Sequence, residues 1–392
     1  MAIMHEDSAL LPQVDVILDS LSPYGSRRVT VECDGIATAA YLRDDTSIIA
    51  ATWIANHRSA PGSTDRERIE SGLAPLMPAA HTSRPRGRSR PEPETLQAVW
   101  FEEGDGVAIT EQGTLLAVLP GWANASRGMP GYSRDIIGQT PFGWSLDDAI
   151  EGLGPRVERA RAFWQWRDSP AGWGRFQQAA LAHLESRLGP GPAGHYWDVS
   201  MGRRPSVGVC ERPPSADHPY TVLATVGMSC QRMPVVEQVL DNPRDYARIE
   251  LALATTMPSA TAARVFPWLA TYPWQAVTWF GPGHSIRWYH VSDTFPLGPG
   301  FEAVLLVDDP SLLAAPPLLA AAIESGGPDV PKRPASSIPD LSGFMVGEDP
   351  VRWLWIIPIS ERTRLLAKER GSSSALTRLA AEGRTWITGT TR

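Results

Sequence analysis

"WLWIIPISERTRLLAKERG", residues 353–371, decides how the rest of the chain is read. Five apolar residues, Trp353 to Ile357, run into Pro358 and then into a charged stretch with helical spacing. A run apolar on both faces is the pattern of a central, doubly covered strand. Pro358 has no N–H to give a ladder, so pairing weakens there. Ser360 is placed to cap a helix, and Glu361 lies where the helix N-terminus favours negative charge. Lys368 and Arg370 suit the other end, and Gly371 suits the stop. A buried strand leading straight into a capped helix implies a mixed α and β protein. Every residue of the junction has a structural task, and none demands catalysis.

Outward from this stretch, the C-terminal half repeats the theme. "HYWDV" (195–199), "SVGVC" (206–210), "YTVLATVGMS" (220–229), "ARIELALA" (247–254), "HSIRWYHV" (284–291), "FEAVLLVDDP" (301–310) and "RWLWIIPI" (352–359) read as strands. In "RIELALA", Ile249, Leu251 and Leu253 share one face, and Arg248 and Glu250 the other. Helical stretches are expected near 235–240, 261–270, 311–323 and 360–380. Strands and helices mix without a strict βαβ rhythm, so the fold class is α+β rather than a doubly wound sheet.

Residues 145–190 form a helical connector. "RVERARAFWQWR" and "GRFQQAALAHLESRLG" have helical spacing, and Gly189 marks a stop. Phe163, Trp164 and Trp166 give the connector an aromatic surface that calls for a sheet to pack on. Residues 1–144 read as a smaller, mostly antiparallel β domain. Val29, Val31 and Cys33 alternate with polar residues, and "LQAVWFEEGDGVAITEQGTLLAVLPGW" (96–122) holds three apolar runs separated by glycine turns. A short opening helix is expected at Leu11–Leu21, and "SRPRGRSRPEPE" (83–94) is expected to be a mobile loop. The organisation is thus 1–144, 145–190 and 191–392.

The net charge is −7, and residues 1–144 carry most of it, with 18 acids against 12 bases. That acidity argues against general nucleic-acid binding and suits a basic partner. The N-terminus has no basic region ahead of an apolar stretch, and no apolar run reaches the length of a membrane span. The three cysteines, Cys33, Cys210 and Cys230, have no paired spacing and read as reduced, buried thiols, so the expected location is the cytoplasm.

Searches for chemistry leave few candidates. The chain contains no GxSxG, Walker loop, HExxH or CxxC. The one literal GxGxxG, Gly189–Gly194, follows a helix and contains two prolines, so no dinucleotide is expected. No metal or cofactor is expected either. His284 and His290 share one strand face, with Asp293 the nearest carboxylate, and both histidines read as packed or rim residues. Glu102, Glu103 and Asp105 cluster at what reads as a solvated hairpin tip. Arg84, Arg86, Arg88 and Arg90 form a ladder that could grip phosphate but reads as solvated loop. Asn124-Ala125-Ser126 is a glycosylation sequon by letter only. Fifteen tryptophans are many for this length, and most must be core. Trp268, Trp274, Trp279 and Trp288 lie between prolines and glycines, where some can reach the surface as interface anchors.

The order "TVGMSCQRMP" (225–234), "RIELALA" (248–254), "WLATYPWQAVTWFGPGHSI" (268–286), "FEAVLLVDDP" (301–310) and "WLWIIPISERTRLLAKERGSSSAL" (353–376) resembles the Suppressor of fused domain family, in the form its bacterial members take. The resemblance covers about 195–380 and leaves 1–190 as an N-terminal extension. It implies a mixed α/β sandwich that binds proteins and is not an enzyme, with bacterial members acting as immunity proteins that neutralise a toxin. No catalytic residues carry over. Gly227, Met228, Ser229, Pro358 and Glu361 match the motif as fold-determining positions. The leading expectation is a cytoplasmic, antitoxin-type immunity protein that covers a partner such as a basic toxin through Trp274, Trp279, His284, Trp288, Glu102 and Glu103. The rivals are an enzyme using His284, Asp293 or the Glu102/Glu103 pair between two domains, and a DNA-associated regulator using the Arg84–Arg90 loop.

Overall fold

A computed structural model describes residues 14–192, 196–215, 218–288, 294–313 and 338–389. The chain divides into two compact units, Met1–Gln165 and Trp166–Arg392. The fold is α+β, with three sheets among the described residues.

In the first unit, β1 (Asp15–Leu21), β2 (Arg28–Cys33), β3 (Ala37–Arg43) and β4 (Ile48–Asn56) form an antiparallel four-stranded meander. A second sheet contains β5 (Leu96–Trp100), β6 (Val107–Glu111), β7 (Thr114–Leu119), β8 (Tyr132–Ser133), β9 (Gln139–Thr140) and β10 (Gly143–Ser145), in the order β5-β6-β7-β8-β10-β9. Alternation sends Val29, Val31 and Cys33 inward, and they share one core with Ile54, Trp100, Val107, Ile109 and Leu119 of the other strands. The helix Ile150–Arg167 covers the opposite face of the second sheet, burying Leu153, Val157 and Ala160 against Phe101, Ala108 and Val118. Trp164 Nε1 donates to the Trp100 carbonyl at 2.8 Å. The opening helix expected at Leu11–Leu21 is not formed over 15–21, which is β1, and 11–13 lie outside the described residues. Pairing with the β-branched "RVTVEC" outweighs the local pattern.

In the second unit, β11 (Tyr196–Asp198), β12 (Gly208–Arg212), β13 (Thr221–Val226), β14 (Arg248–Thr255), β15 (Ser285–Arg287), β16 (Ala303–Val307), β17 (Met345–Val346) and β18 (Asp349–Ile359) form one mixed sheet. Its order is β11-β12-β13-β14-β18-β16-β15, with β17 beside β18. Each sequence-expected strand of this half contains a described strand, although of 284–291 only Ser285–Arg287 is strand, and 289–291, like 195, lie outside the described residues. The opening stretch explains the middle of the sheet. β18 pairs parallel with β14 through Val351–Trp355 and antiparallel with β16 through Trp355–Ile359. Pro358 therefore lies in the half of β18 that β14 no longer pairs. Trp353, Trp355, Ile357 and Ile359 face one way, into a core with Phe176, Ala180 and Leu184 of helix Gly172–Leu188 and Leu376 and Leu379 of helix Ser372–Ala381. Leu354 and Ile356 face the other way and are also buried.

The helix caps match the sequence reading. The Ser360 side chain accepts from Thr363 N at 3.3 Å, and Gly371, at φ 84°, ends helix Glu361–Arg370. The residues expected to form a connector are divided, one helix packing in each unit. Of the stretch expected to be helical at 311–323, Ser311–Leu313 is a single turn of 3₁₀ helix, and the remainder lies outside the described residues.

The tail closes the sheet. Thr388 N donates to the Ala254 carbonyl at 2.8 Å, and Trp386 sets its ring edge-on to Tyr220 at 5.1 Å and Trp355 at 5.0 Å. Trp386 is 1% exposed. Trp386→Ala should cost about 3–5 kcal/mol of unfolding free energy by urea titration, the range for emptying a large aromatic site. A loss below about 1 kcal/mol would show that the tail docks without it.

Candidate functional site

The motif "TVGMS" sits where β13 leaves the sheet. Gly227 takes φ 132°, a backbone state that side chains rarely adopt, and a Cβ there would run into the Ser206 carbonyl and the Trp173 ring. The chain then makes one 3₁₀ turn, Met228–Cys230. Glu250, from the middle of β14, holds that turn. Its Oε1 accepts from Gly227 N at 2.9 Å, Ser229 N at 2.9 Å and Ser229 Oγ at 2.6 Å, and its Oε2 accepts from Thr225 Oγ1 at 2.6 Å. Glu250 is completely buried. Burial pushes its carboxyl above the ordinary value, and the hydrogen bonds from Ser229, Thr225 and Gly227 oppose that rise without cancelling it.

Two residues earlier on the same strand, Arg248 grips the other end of the turn. Its Nη1 donates to the carbonyls of Ser229 at 3.1 Å and Cys230 at 3.0 Å, and its Nε donates to Asp349 Oδ2 at 3.0 Å. Arg232 meets the same Asp349 with two bonds of 2.7 Å. Burial works to raise the Asp349 carboxyl, but its bonds to Arg232 and the charges of Arg232 and Arg248 outweigh that and hold it below the ordinary range. The Arg232 carbonyl in turn accepts from Trp274 Nε1 at 2.9 Å. The polar network thus reaches the aromatic segment 268–288. The sequence signal for it was two charged residues at alternate positions of an otherwise apolar strand, and sequence reasoning did not draw it out.

The candidate binding residues fall into groups. Trp274 is fully buried and packs the fold, so it leaves the set of surface anchors. Trp279 is half-buried and lies edge-on to His284 at 4.5 Å. Burial lowers the His284 pKa, and a hydrogen bond to the Trp279 backbone partly restores it. Trp288 is half-buried, edge-on to Trp268 at 4.9 Å and to Phe295 at 5.5 Å. These rings flank β15, which ends the sheet order. His290 and Asp293 lie outside the described residues.

Glu102 and Glu103 belong to the other unit and are half-buried rather than a solvated tip. Glu103 faces Arg156 at 3.6 Å, the Glu102 carbonyl accepts from Tyr24 Oη at 2.7 Å, and Asp105 is buried. Three of the four ladder arginines are likewise tied into their unit, and Arg86 is exposed. Arg88 pairs with Glu111, Arg84 faces Asp135 at 3.7 Å and Arg90 bonds Asp15 at 2.7 Å. The ladder's backbone is pinned too, through Arg88 N to Asn56 O and Ala60 N to Pro85 O, so the expected mobile loop is irregular chain held in place. Phosphate would have to compete with these carboxylates. Among the described residues no group of three or more His, Cys, Asp or Glu is arranged to hold a metal, and no helix is long and apolar enough to cross a membrane.

Glu250→Ala should cost about 3–5 kcal/mol, because it orphans buried donors, and Glu250→Gln less, because an acceptor oxygen remains. Equal losses in denaturant titrations would mean that volume, and not hydrogen bonding, fixes the turn. Asp349 yields a pH test. The folded carboxyl lies below the ordinary value of 3.8, so the unfolded chain binds the proton first. Its stabilisation is full above the unfolded value and is lost as pH falls through the folded one. Unfolding free energy between roughly pH 5 and pH 2 should therefore fall less steeply in Asp349→Asn than in the native chain. Parallel acid limbs would refute the assignment.

Residues 203–392 match the family model described as Suppressor of fused protein (SUFU). No curated protein matches the chain. Among solved structures, a candidate SUFU homologue from Neisseria gonorrhoeae is 15% identical with a TM-score of 0.33, over 56% of this chain and 96% of that one. A chain of the Sufu–Fu complex is 12% identical at 0.33, over 55% and 91%. Drosophila Suppressor of fused is 13% identical at 0.33, over 55% of this chain and half of its own length. On that match residues 203–392, just under half of the chain, are a Suppressor of fused domain, with a β-rich N-terminal part outside it.

Proposed function

We propose that this protein is a non-enzymatic binding module of the antitoxin type, which neutralises a partner protein by covering its surface. The observation that carries this reading is the match of 203–392 to the Suppressor of fused family. The half-buried rings flanking β15 support it. Trp279, His284 and Trp288 combine large apolar area with few rotatable bonds, which is what interface anchors require. Trp279 and His284 brace one another, and Trp288 is braced by Trp268 and Phe295, so little ordering is left for the moment of binding. No catalytic residue is assigned.

The partner is a basic protein. The acidic excess of residues 1–144 supports this, since opposite charge accelerates encounter and selects against acidic competitors. Cytoplasmic residence fits the three buried cysteines, none of which is in a disulfide.

The experiment is co-expression with the product of the adjacent reading frame, read as growth and as copurification. The native chain should restore growth and retain the partner. Trp279→Ala with Trp288→Ala should weaken retention at least tenfold, or about 1.4 kcal/mol, with the unfolding midpoint measured in parallel. Retention that is undiminished in the folded double variant, or purification with a turned-over metabolite and no protein, would overturn the reading.

A further inference from the structure

A concave site opens at one end of the second unit's sheet, and its argument does not rest on the reading above. β14 and β18 are parallel, and β14 ends at Thr255. β16 begins at Ala303 opposite Ile359, the last residue of β18. Met257, just past β14, and Phe301, just before β16, therefore stand at the carboxyl ends of the parallel pair. A cleft of about 450 Å³ opens there, within the size range of small-molecule sites.

Its walls are mainly apolar, from Met257, Leu297, Phe301 and Ile387. Two charged residues reach it, Glu382 and Arg384. The carboxylate of Glu382 is engaged, accepting from Arg378 Nε at 2.8 Å. Arg384 lies over the Phe301 ring at 4.5 Å, and among the described residues no carboxylate hydrogen-bonds its guanidinium. Desolvation lowers the Arg384 pKa, and only the charge of Glu382 opposes it. The cation is thus stacked against an aromatic wall of the cleft with its donor edges uncommitted. A guanidinium in that position presents a planar fork that matches a carboxylate or sulfonate.

We infer that this cleft binds a small anionic amphiphile, an organic acid whose carboxylate meets Arg384 and whose apolar body fills the space between Met257, Leu297, Phe301 and Ile387. Both features of the ligand are needed. A purely inorganic anion leaves the walls unfilled, and a neutral hydrocarbon leaves the fork unpaired.

The test uses the full chain and two probes, the anionic dye anilinonaphthalene sulfonate followed by fluorescence and decanoate followed by calorimetry, with decanol as the uncharged control. The expected result is a single decanoate site that displaces the dye, weakened roughly tenfold in Arg384→Gln, less in Arg384→Lys, and strengthened in Glu382→Gln as a repelling charge is removed. Leu297→Trp, which fills the cleft and leaves Arg384 in place, should abolish binding. Circular dichroism and the unfolding midpoint confirm that each variant is folded. Equal binding of decanol and decanoate, unchanged affinity in a folded Arg384→Gln, or absence of binding to the native chain would overturn the inference. Binding that appears only after residues 390–392 are deleted would overturn it as well, making that segment the occupant. Partner retention should not change in Arg384→Gln, so failure here and failure of the protein-binding reading are separable.

Discussion

The Glu250 carboxylate is the constraint on which the second unit depends. A carboxyl group in an apolar strand is costly unless its lone pairs are filled, and here the donors come from one five-residue stretch, Thr225 to Ser229. Pairing of Ala224 with Ala252 and Leu223 with Leu253 sets the register that brings those donors over Glu250. A one-residue slip would send Glu250 to the opposite face and leave the donors over Ile249 or Leu251. The polar group therefore selects one alignment of β13 on β14 that apolar packing alone would select less sharply. The exit of the chain from β13 is fixed with it, since Gly227 is the point at which the backbone must turn toward the carboxylate.

From that point the geometry propagates. The turn places Arg232 beside Asp349 at the start of β18, and the Arg232 carbonyl receives Trp274. Arg248 joins the turn to the same aspartate. Two carboxylates on neighbouring strands thus bind one loop from both sides, and the loop positions the aromatic segment that ends in Trp279 and His284. β18 supplies the remaining order by pairing parallel with β14 over one half and antiparallel with β16 over the other.

Much of this was legible in the sequence because β18 and its neighbours are long apolar runs whose character tertiary context does not change. The helix caps at Ser360 and Gly371 are local devices and read equally well. The opening segment misled because "DVILDSL" is ambiguous over so short a span, and its state is decided by a partner strand. The arginine segment reads as a mobile loop because its carboxylate partners, Asp15, Glu111 and Asp135, are distant in sequence; Arg84, Arg86 and Arg90 are nonetheless exposed, as that reading has them. Trp274 and Trp279 occupy similar proline- and glycine-rich surroundings, yet one is fully buried and the other is not. That difference follows from where the Arg232 carbonyl lies, which composition does not record. The Glu250 network was visible only as two charges in a strand, with no sign that both would be buried.

The distribution of satisfied and unsatisfied groups in the second unit bears on what the fold is built to do. Two of its buried carboxyl groups are committed. Glu250 has its lone pairs filled, and Asp349 is shared by two guanidinium groups. The rings beside the sheet edge and the guanidinium over an aromatic wall are groups that recognise shape and charge. The segment 294–301 belongs to both, since Phe295 packs on Trp288 while Leu297 and Phe301 line the cleft. If an occupant of the cleft shifts that segment, it alters the backing of Trp288, and linkage requires the effect on the two affinities to be reciprocal.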